Sequence, residues 1–347
     1  MIEQHKAALP SGEITLVTIT GPHGEQVTLS SLGAGIITVN VPDRNGRLDN
    51  VAMTYGDLAS YLGDGPCCGK TPGRYANRIG YGRLRVGEKK YQLAVNCGPH
   101  HLHGGPDGFQ NQIWDVDTVD DRTVRFSLNS PDGHENYPGA VEASVTYRLG
   151  DDGDLTITYE ARSDAPTVIN LTNHTYFNLN GATAGCALDH VLRLFSSHYV
   201  ATDPTLLPLG TLAPVDDTPM DFRRPRTLRS RIHDDFEPLR HGKGYDHCFV
   251  IDRCNEPGMH CAAILSSPLS GRVLTITTDQ PGMQLYTGNW LTGSPLGPGG
   301  HEYHDYDCVA IECQGFPDAP NRPEFPSQEL TPGRPYRRHI IYRFTVS

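Results

Sequence analysis

Two residues of this chain stand where acid–base chemistry needs them. Glu312 follows the apolar run Cys308-Val-Ala-Ile311, which reads as a buried strand. A carboxylate emerging from such a strand is partly desolvated, and its pKa rises toward the working range of a general base. A strand-end glutamate paired with an arginine would show the same spacing. His174 lies in Val168-Ile-Asn-Leu-Thr-Asn-His-Thr-Tyr-Phe177, where strand alternation sets Asn170, Thr172 and His174 on one face. A face that polar is either solvated or lines a site. Histidine has the ordinary pKa nearest neutrality, so His174 is a candidate general acid, with a hydrogen-bonded structural histidine as the alternative.

Other polar clusters supply recognition chemistry. Gly73-Arg-Tyr-Ala-Asn-Arg-Ile79 places Arg74 and Arg78 four apart around Asn77. Guanidinium forks suit hydroxyl or carboxylate recognition, and a solvated surface turn is the competing reading. His100-His101-Leu102-His103 carries a His-x-His step that could present two imidazoles to a metal. The nearest further donors, His134 and Glu135, are too distant to complete a motif, so no metal is expected. Gly104-Gly105 favours a tight turn that brings His103 close to a ligand. Asp246 and His247, with Gln284, Asn289 and Trp290, would suit a sugar through hydroxyl hydrogen bonds and an aromatic face. Core packing is the alternative for the tryptophan. Gly69-Lys70-Thr71 lacks the upstream glycine of a phosphate loop and reads as coincidence.

The elements that must hold these groups are strands. Val141–Leu149, Leu155–Tyr159, Val124–Leu128, Val273–Thr277 and Ile340–Val346 alternate apolar and polar residues with period two, the signal of half-buried strands. No helical apolar pattern is sustained over 12 residues. Short helices are expected at Leu58–Leu62 and near Asp234–Leu239. Gly (37) and Pro (27) are spread along the chain as turns, and no linker or internal repeat divides it. One all-β domain over residues 1–347, a sandwich or barrel, is expected.

Composition narrows the partners. The 347 residues carry 29 Lys+Arg against 40 Asp+Glu, a net charge of −11. That opposes nucleic acid and anionic membranes. No run of about 18 apolar residues offers a spanning helix, and the N-terminus lacks the apolar run of a signal peptide. Nine cysteines without a C-x-x-C step read as reduced thiols in a cytoplasmic protein.

Taken in order, six strings resemble the aldose 1-epimerases, the galactose mutarotase family. They are Gly73-Arg-Tyr-Ala-Asn-Arg-Ile79, Leu102-His-Gly-Gly105, Asn170-Leu-Thr-Asn-His-Thr-Tyr-Phe-Asn-Leu179, Tyr245-Asp-His247, Gly282-Met-Gln-Leu-Tyr-Thr-Gly-Asn289 and Glu312-Cys-Gln-Gly-Phe-Pro-Asp-Ala-Pro-Asn321. The resemblance runs from about Gly33 onward. It implies a large antiparallel β-sandwich of the galactose mutarotase-like supersandwich type. It implies Glu312 as base and His174 as acid, with Arg78, His103, Asp246 and Gln284 contacting the sugar and Asn77 and Tyr176 beside them. It also implies no cofactor and no metal, a small sugar as the partner, and a monomer or homodimer that binds neither nucleic acid nor membrane. Cys67-Cys-Gly-Lys-Thr-Pro72 and His100 depart from the family pattern.

The reaction so implied opens a hemiacetal ring. Ionised Glu312 takes the C1 hydroxyl proton while protonated His174 protonates the ring oxygen. Rotation about the bond from C1 to C2 and reclosure give the other anomer of a glucose- or galactose-type hexose. Three other classes remain open at this stage. One is a non-catalytic carbohydrate-binding protein on the same fold. Another is a glycoside hydrolase using Glu312 and Asp246, with carboxyl groups about 5–9.5 Å apart. The third is a metal-dependent isomerase using His101 and His103.

Overall fold

Alternation along the chain becomes two packed sheets. The computed structural model describes all 347 residues. The five alternating runs lie in one nine-stranded antiparallel sheet. Its spatial order is Asp115–Asp120, Thr123–Ser130, Val141–Leu149, Leu155–Ser163, Tyr336–Val346, Arg272–Thr278, His260–Ser266, Val191–Leu194 and Arg226–Thr227. Pairing is in register, with Val145 opposite Tyr159 and Tyr147 opposite Ile157. Residues directly opposite share a face, so Val145, Tyr147, Ile157, Tyr159, Ile340 and Tyr342 form one continuous apolar surface.

That surface packs on a six-stranded antiparallel sheet ordered Tyr176–Phe177, Val309–Gln314, Gly282–Tyr286, Asp246–Val250, His198–Thr202 and Pro208–Pro214. Val309, Ile311, Cys313, Met283, Leu285 and Phe249 supply its half of the shared core. A further five-stranded sheet over residues 2–50 flanks the pair. The architecture is the all-β, antiparallel sandwich that the alternation and the resemblance led us to expect. Helix is confined to short turns, among them Ala59–Tyr61 and Glu237–Gly242. All nine cysteines are free thiols.

One expected strand is not a strand. Between Thr167–Val168 and Tyr176–Phe177 the chain runs irregularly and fully buried beside residues 69–76. His174 N donates to Lys70 O, Asn170 N to Arg74 O, and Ala76 N to Asn170 O. Of the polar residues expected on an open face, Asn170 instead satisfies the main chain, and His174 lines a cavity. Asn170 Nδ2 donates to Ala76 O at 3.1 Å, and its Oδ1 accepts from Gly315 N at 2.7 Å. Buried backbone groups without a regular ladder need such partners.

Arg74 is structural. Its guanidinium is buried and donates to Ser130 Oγ, Ser130 O, Pro131 O, Pro138 O and Gly139 O at 2.7–3.1 Å. Burial lowers its pKa to about 10, still above neutrality. It ties the 73–79 segment to residues 130–139. Arg74→Leu leaves several buried carbonyls unpaired and should cost about 3–5 kcal/mol, the range of a severe single substitution. Urea unfolding followed by circular dichroism measures this, and a loss under about 1 kcal/mol would contradict the role.

Candidate active site

The site is built on the outer face of the six-stranded sheet. Strand Val309–Gln314 is buried on both faces. Its odd residues enter the core, so Ala310, Glu312 and Gln314 must face the other way. Register places Gln284 opposite Glu312, and Cys248 opposite Gln284. Two residues from Cys248 on the same face is Asp246, opposite Tyr286. Tyr176 lies opposite Ala310. Period two therefore sets Tyr176, Glu312, Gln284, Tyr286 and Asp246 on a single polar surface.

A second layer covers that surface. The two-residue strands Arg78–Ile79 and His101–Leu102 pair with Arg78 opposite Leu102. Asn77 O accepts from His103 N at 3.2 Å, and His103 Nδ1 accepts from Asn77 N at 3.1 Å. Asn77 Oδ1 in turn accepts from Arg78 N at 2.7 Å. Gly104 allows this closure, because a Cβ there would stand 1.7 Å from Gly73 O. His103 then meets His174 edge-on at 5.2 Å between ring centres, and His174 stacks obliquely on Tyr176 at 4.9 Å.

Between the layers lies a cavity of about 520 Å³ lined by all eight residues expected at the site: Asn77, Arg78, His103, His174, Tyr176, Asp246, Gln284 and Glu312. His174 Nε2 faces Glu312 Oε1 at 3.4 Å. Arg78 reaches Asp246 Oδ2 at 3.6 Å, and Gln284 Nε2 donates to Asp246 Oδ1 at 2.5 Å. The second Glu312 oxygen, Gln284 Oε1 and His174 Nδ1 are buried without protein partners. Unpaired buried oxygens of Glu312 and Gln284 on a cavity wall are suited to a polyhydroxylated ligand.

Burial dominates the electrostatics. It pushes Glu312 well above the ordinary carboxylate range; Asp246 adds to the rise and Arg78 opposes it. Burial also lowers His174 to about 4 and holds His103 well below the usual imidazole range. Desolvation favours the neutral form of both groups, so the protonated His174 expected of an acid forms at a cost. His103, accepting at Nδ1 while neutral, must carry its proton on Nε2.

Several expected groups stand elsewhere. His101 is buried with Nδ1 against Ala94 O and Nε2 against Tyr137 OH, both at 2.7 Å. It has no nitrogen left for a metal shared with His103. His100 is held by Tyr81 N and Thr205 Oγ1, and His134 and Glu135 sit in a turn beside Asp107. One convergent donor set, His103, His174 and Glu312, has ligating atoms within 4.8 Å of one another. Three donors do not close a structural metal site, which takes four, but they equal the count of a catalytic one, so chelator sensitivity decides between a metal and an acid–base pair. Asn289 binds Gly242 O and Tyr245 O. His247 sits on the sheet face opposite Asp246 and packs near Tyr199. Trp290 is not core: it is 63% exposed at the cavity rim, with Lys243 Nζ over its ring at 4.3 Å. Tyr286 also lines the cavity and was missed, although it stands two residues beyond Gln284 on the same strand face. Pro66, Leu206, Thr292 and Ser294 complete the rim from loops, where spacing carries no signal.

Known proteins share this arrangement of chain. The family model described as aldose 1-epimerase matches residues 15–343. The human protein named galactose mutarotase is 39% identical over 322 residues, covering 93% of this chain and 92% of its own. The Escherichia coli protein named aldose 1-epimerase is 34% identical over 347 residues, covering 99% of each. A crystal structure of a GalM/aldose epimerase homologue from C. elegans superposes with a TM-score of 0.88 at 31% identity, over 95% of this chain and 98% of that one. The structure of galactose 1-epimerase from Lactobacillus acidophilus gives 0.85 at 27% identity, over 100% and 98%. This chain belongs to the aldose 1-epimerase family.

Proposed function

We propose that the protein interconverts the α and β anomers of free aldohexoses of the glucose and galactose type by acid–base opening and reclosure of the ring. The observation that carries this reading is the buried pair of Glu312 and His174, 3.4 Å apart at the wall of a polar cavity. Glu312 acts as base on the C1 hydroxyl, and His174 delivers a proton to the ring oxygen. The bond from C1 to the ring oxygen then breaks. Its electrons stay on that oxygen as it takes the proton, while the C1 oxygen becomes the aldehyde carbonyl. Rotation about the bond from C1 to C2 and the reverse transfers close the other anomer.

Proton transfer starts from carboxylate and imidazolium and ends at carboxylic acid and neutral imidazole. Burial favours the second state. His103, a donor at Nε2, and Arg78 stabilise charge developing on the sugar oxygens. Asp246, fixed by Arg78 and Gln284, anchors hydroxyls. A carboxylate so engaged is a poor second carboxylate for glycoside hydrolysis. The family relatives named for galactose and aldoses support a sugar substrate. Nine free thiols support a reducing, cytoplasmic setting, and we read the protein as a monomer or homodimer acting without a cofactor.

Polarimetry on freshly dissolved α-D-glucose and α-D-galactose, with EDTA present, tests the proposal. Decay to the normal final rotation should accelerate for both sugars. No acceleration for either would leave a different aldose as substrate or a binding protein on this fold, and inhibition by EDTA would assign the donor set to a metal. Glu312→Gln should lower kcat by about 10³-fold or more, near the scale of a removed general base, with sugar binding retained. His174→Asn should lower it by about 10²–10³-fold. Near-normal rates in either variant would remove that residue from the mechanism.

The pair must hold one proton to act. Below about pH 4 His174 gains a proton, and no base remains. Above the raised pKa of Glu312 the pair loses its proton, and no acid remains. The profile of kcat/KM against pH should be a bell whose limbs belong to the pair rather than to either residue. A rate that climbs steadily from pH 3 to pH 10, after correction for buffer catalysis, would refute the shared-proton scheme.

A further inference from the structure

Lys70 and Asp64 form an ion pair with side chains 1% and 0% exposed. Such a pair recovers its desolvation cost only with further hydrogen bonds, and it is weak evidence for stability. Here the bonds are present. Lys70 Nζ also donates to Tyr61 O at 2.7 Å and to Asn111 Oδ1 at 3.4 Å. Asp64 Oδ2 accepts from Cys68 N at 2.8 Å and from Tyr55 OH at 3.0 Å. The segment from 64 to 70 is therefore pinned at both ends.

What that segment holds is the main chain of His174. His174 N donates to Lys70 O at 2.9 Å, and Gly69 N donates to His174 O at 3.0 Å. Asn173 Nδ2 also donates to Gly69 O at 2.9 Å. Only glycine fits at 69, since a Cβ would stand 1.9 Å from Ile36 O. The imidazole itself lacks the usual orienting partner. His174 Nδ1 is buried and bonds to nothing in the protein, whereas a catalytic histidine is ordinarily aimed by a third group on its far nitrogen. Its ring is set by the flanking rings of His103 and Tyr176 and by the backbone it hangs from.

We propose that Lys70, paired with Asp64, is a positioning residue that fixes the backbone of His174 and so aims its Nε2 at Glu312 and the sugar. The inference rests on the acid–base reading given above. Lys70 touches no part of the cavity. It acts through the backbone, and displacements near 1 Å at a reacting group can cost about 10²-fold in rate. The charges of the pair add a second, signed effect. The ionisable groups around His174 are Glu312, His103, Tyr176, Asp246, Asp64 and Lys70, and the last two act on its protonation with opposite sign.

The test compares Lys70→Met, Asp64→Asn and the neutral double variant with His174→Asn, with rates taken per folded molecule by circular dichroism. Lys70→Met should lower kcat about tenfold with a smaller change in KM, because Arg78, Asp246 and Gln284 are untouched and the pinned segment meets the cavity only at Gly65 and Pro66. The acidic limb of its pH profile should move up, since Asp64 is left uncompensated. In Asp64→Asn the limb should move down. Should a single variant fail to fold, the double variant, which buries no lone charge, should still lose about fivefold in kcat with a smaller change in KM. Normal kcat per folded molecule, or KM rising in step with the loss, would overturn the positioning role. An unaffected His174→Asn enzyme would instead overturn the acid–base reading beneath it.

Discussion

Desolvation of one carboxylate organises this molecule. Glu312 stands on a strand with both faces buried, so no side of the peptide offers it water. Ionising such a group is costly unless something replaces the solvent. One face of the strand is sealed by the nine-stranded sheet. The other is covered by segments from three distant parts of the chain, which bring Arg78, His103 and His174 over the sheet that itself carries Asp246. Each cover residue does two things: it keeps water out, and it supplies a polar atom in the place of water. The chemistry follows from the seal. A carboxylate in bulk water has a pKa too low to hold the proton it must take.

Charge is used in three ways within a short stretch of sequence. Arg74 spends its donors on main-chain carbonyls, Lys70 joins Asp64 beneath the loop of His174, and Arg78 opens onto the cavity and Asp246. All three are buried or nearly so, and only the third lines the cavity. The difference lies in what surrounds each side chain rather than in its type.

That contrast marks what sequence could reveal. Period-two alternation located five of the nine strands of the large sheet, since each of these has one face more solvated than the other to break the apolar pattern. It also put Glu312 at the edge of an apolar run. Motif order then gathered eight cavity residues that no single spacing would have joined. Reading failed where bonding was irregular. Residues 169–175 carry an alternating pattern but pair with another loop, and their asparagines serve the backbone. Lys70 looked like a stray because its partner Asp64 is local while its effect, through a carbonyl, falls on His174 more than 100 residues away. Trp290 sits at the cavity rim on a loop, where periodicity has nothing to report.

Sheet order has a further consequence for how the molecule comes into being. Tyr336–Val346 lies fifth of nine in the large sheet, between Leu155–Ser163 and Arg272–Thr278. The two halves on either side share no other strand pairing. During synthesis from the N-terminus, the earlier strands can form hairpins, but the sheet stays split until this late segment is made. The apolar face that backs Glu312 is therefore unfinished for most of translation. Until then each half exposes an unpaired inner edge, the kind of surface that invites pairing with a second chain. The nascent polypeptide has to survive that interval before any cavity exists.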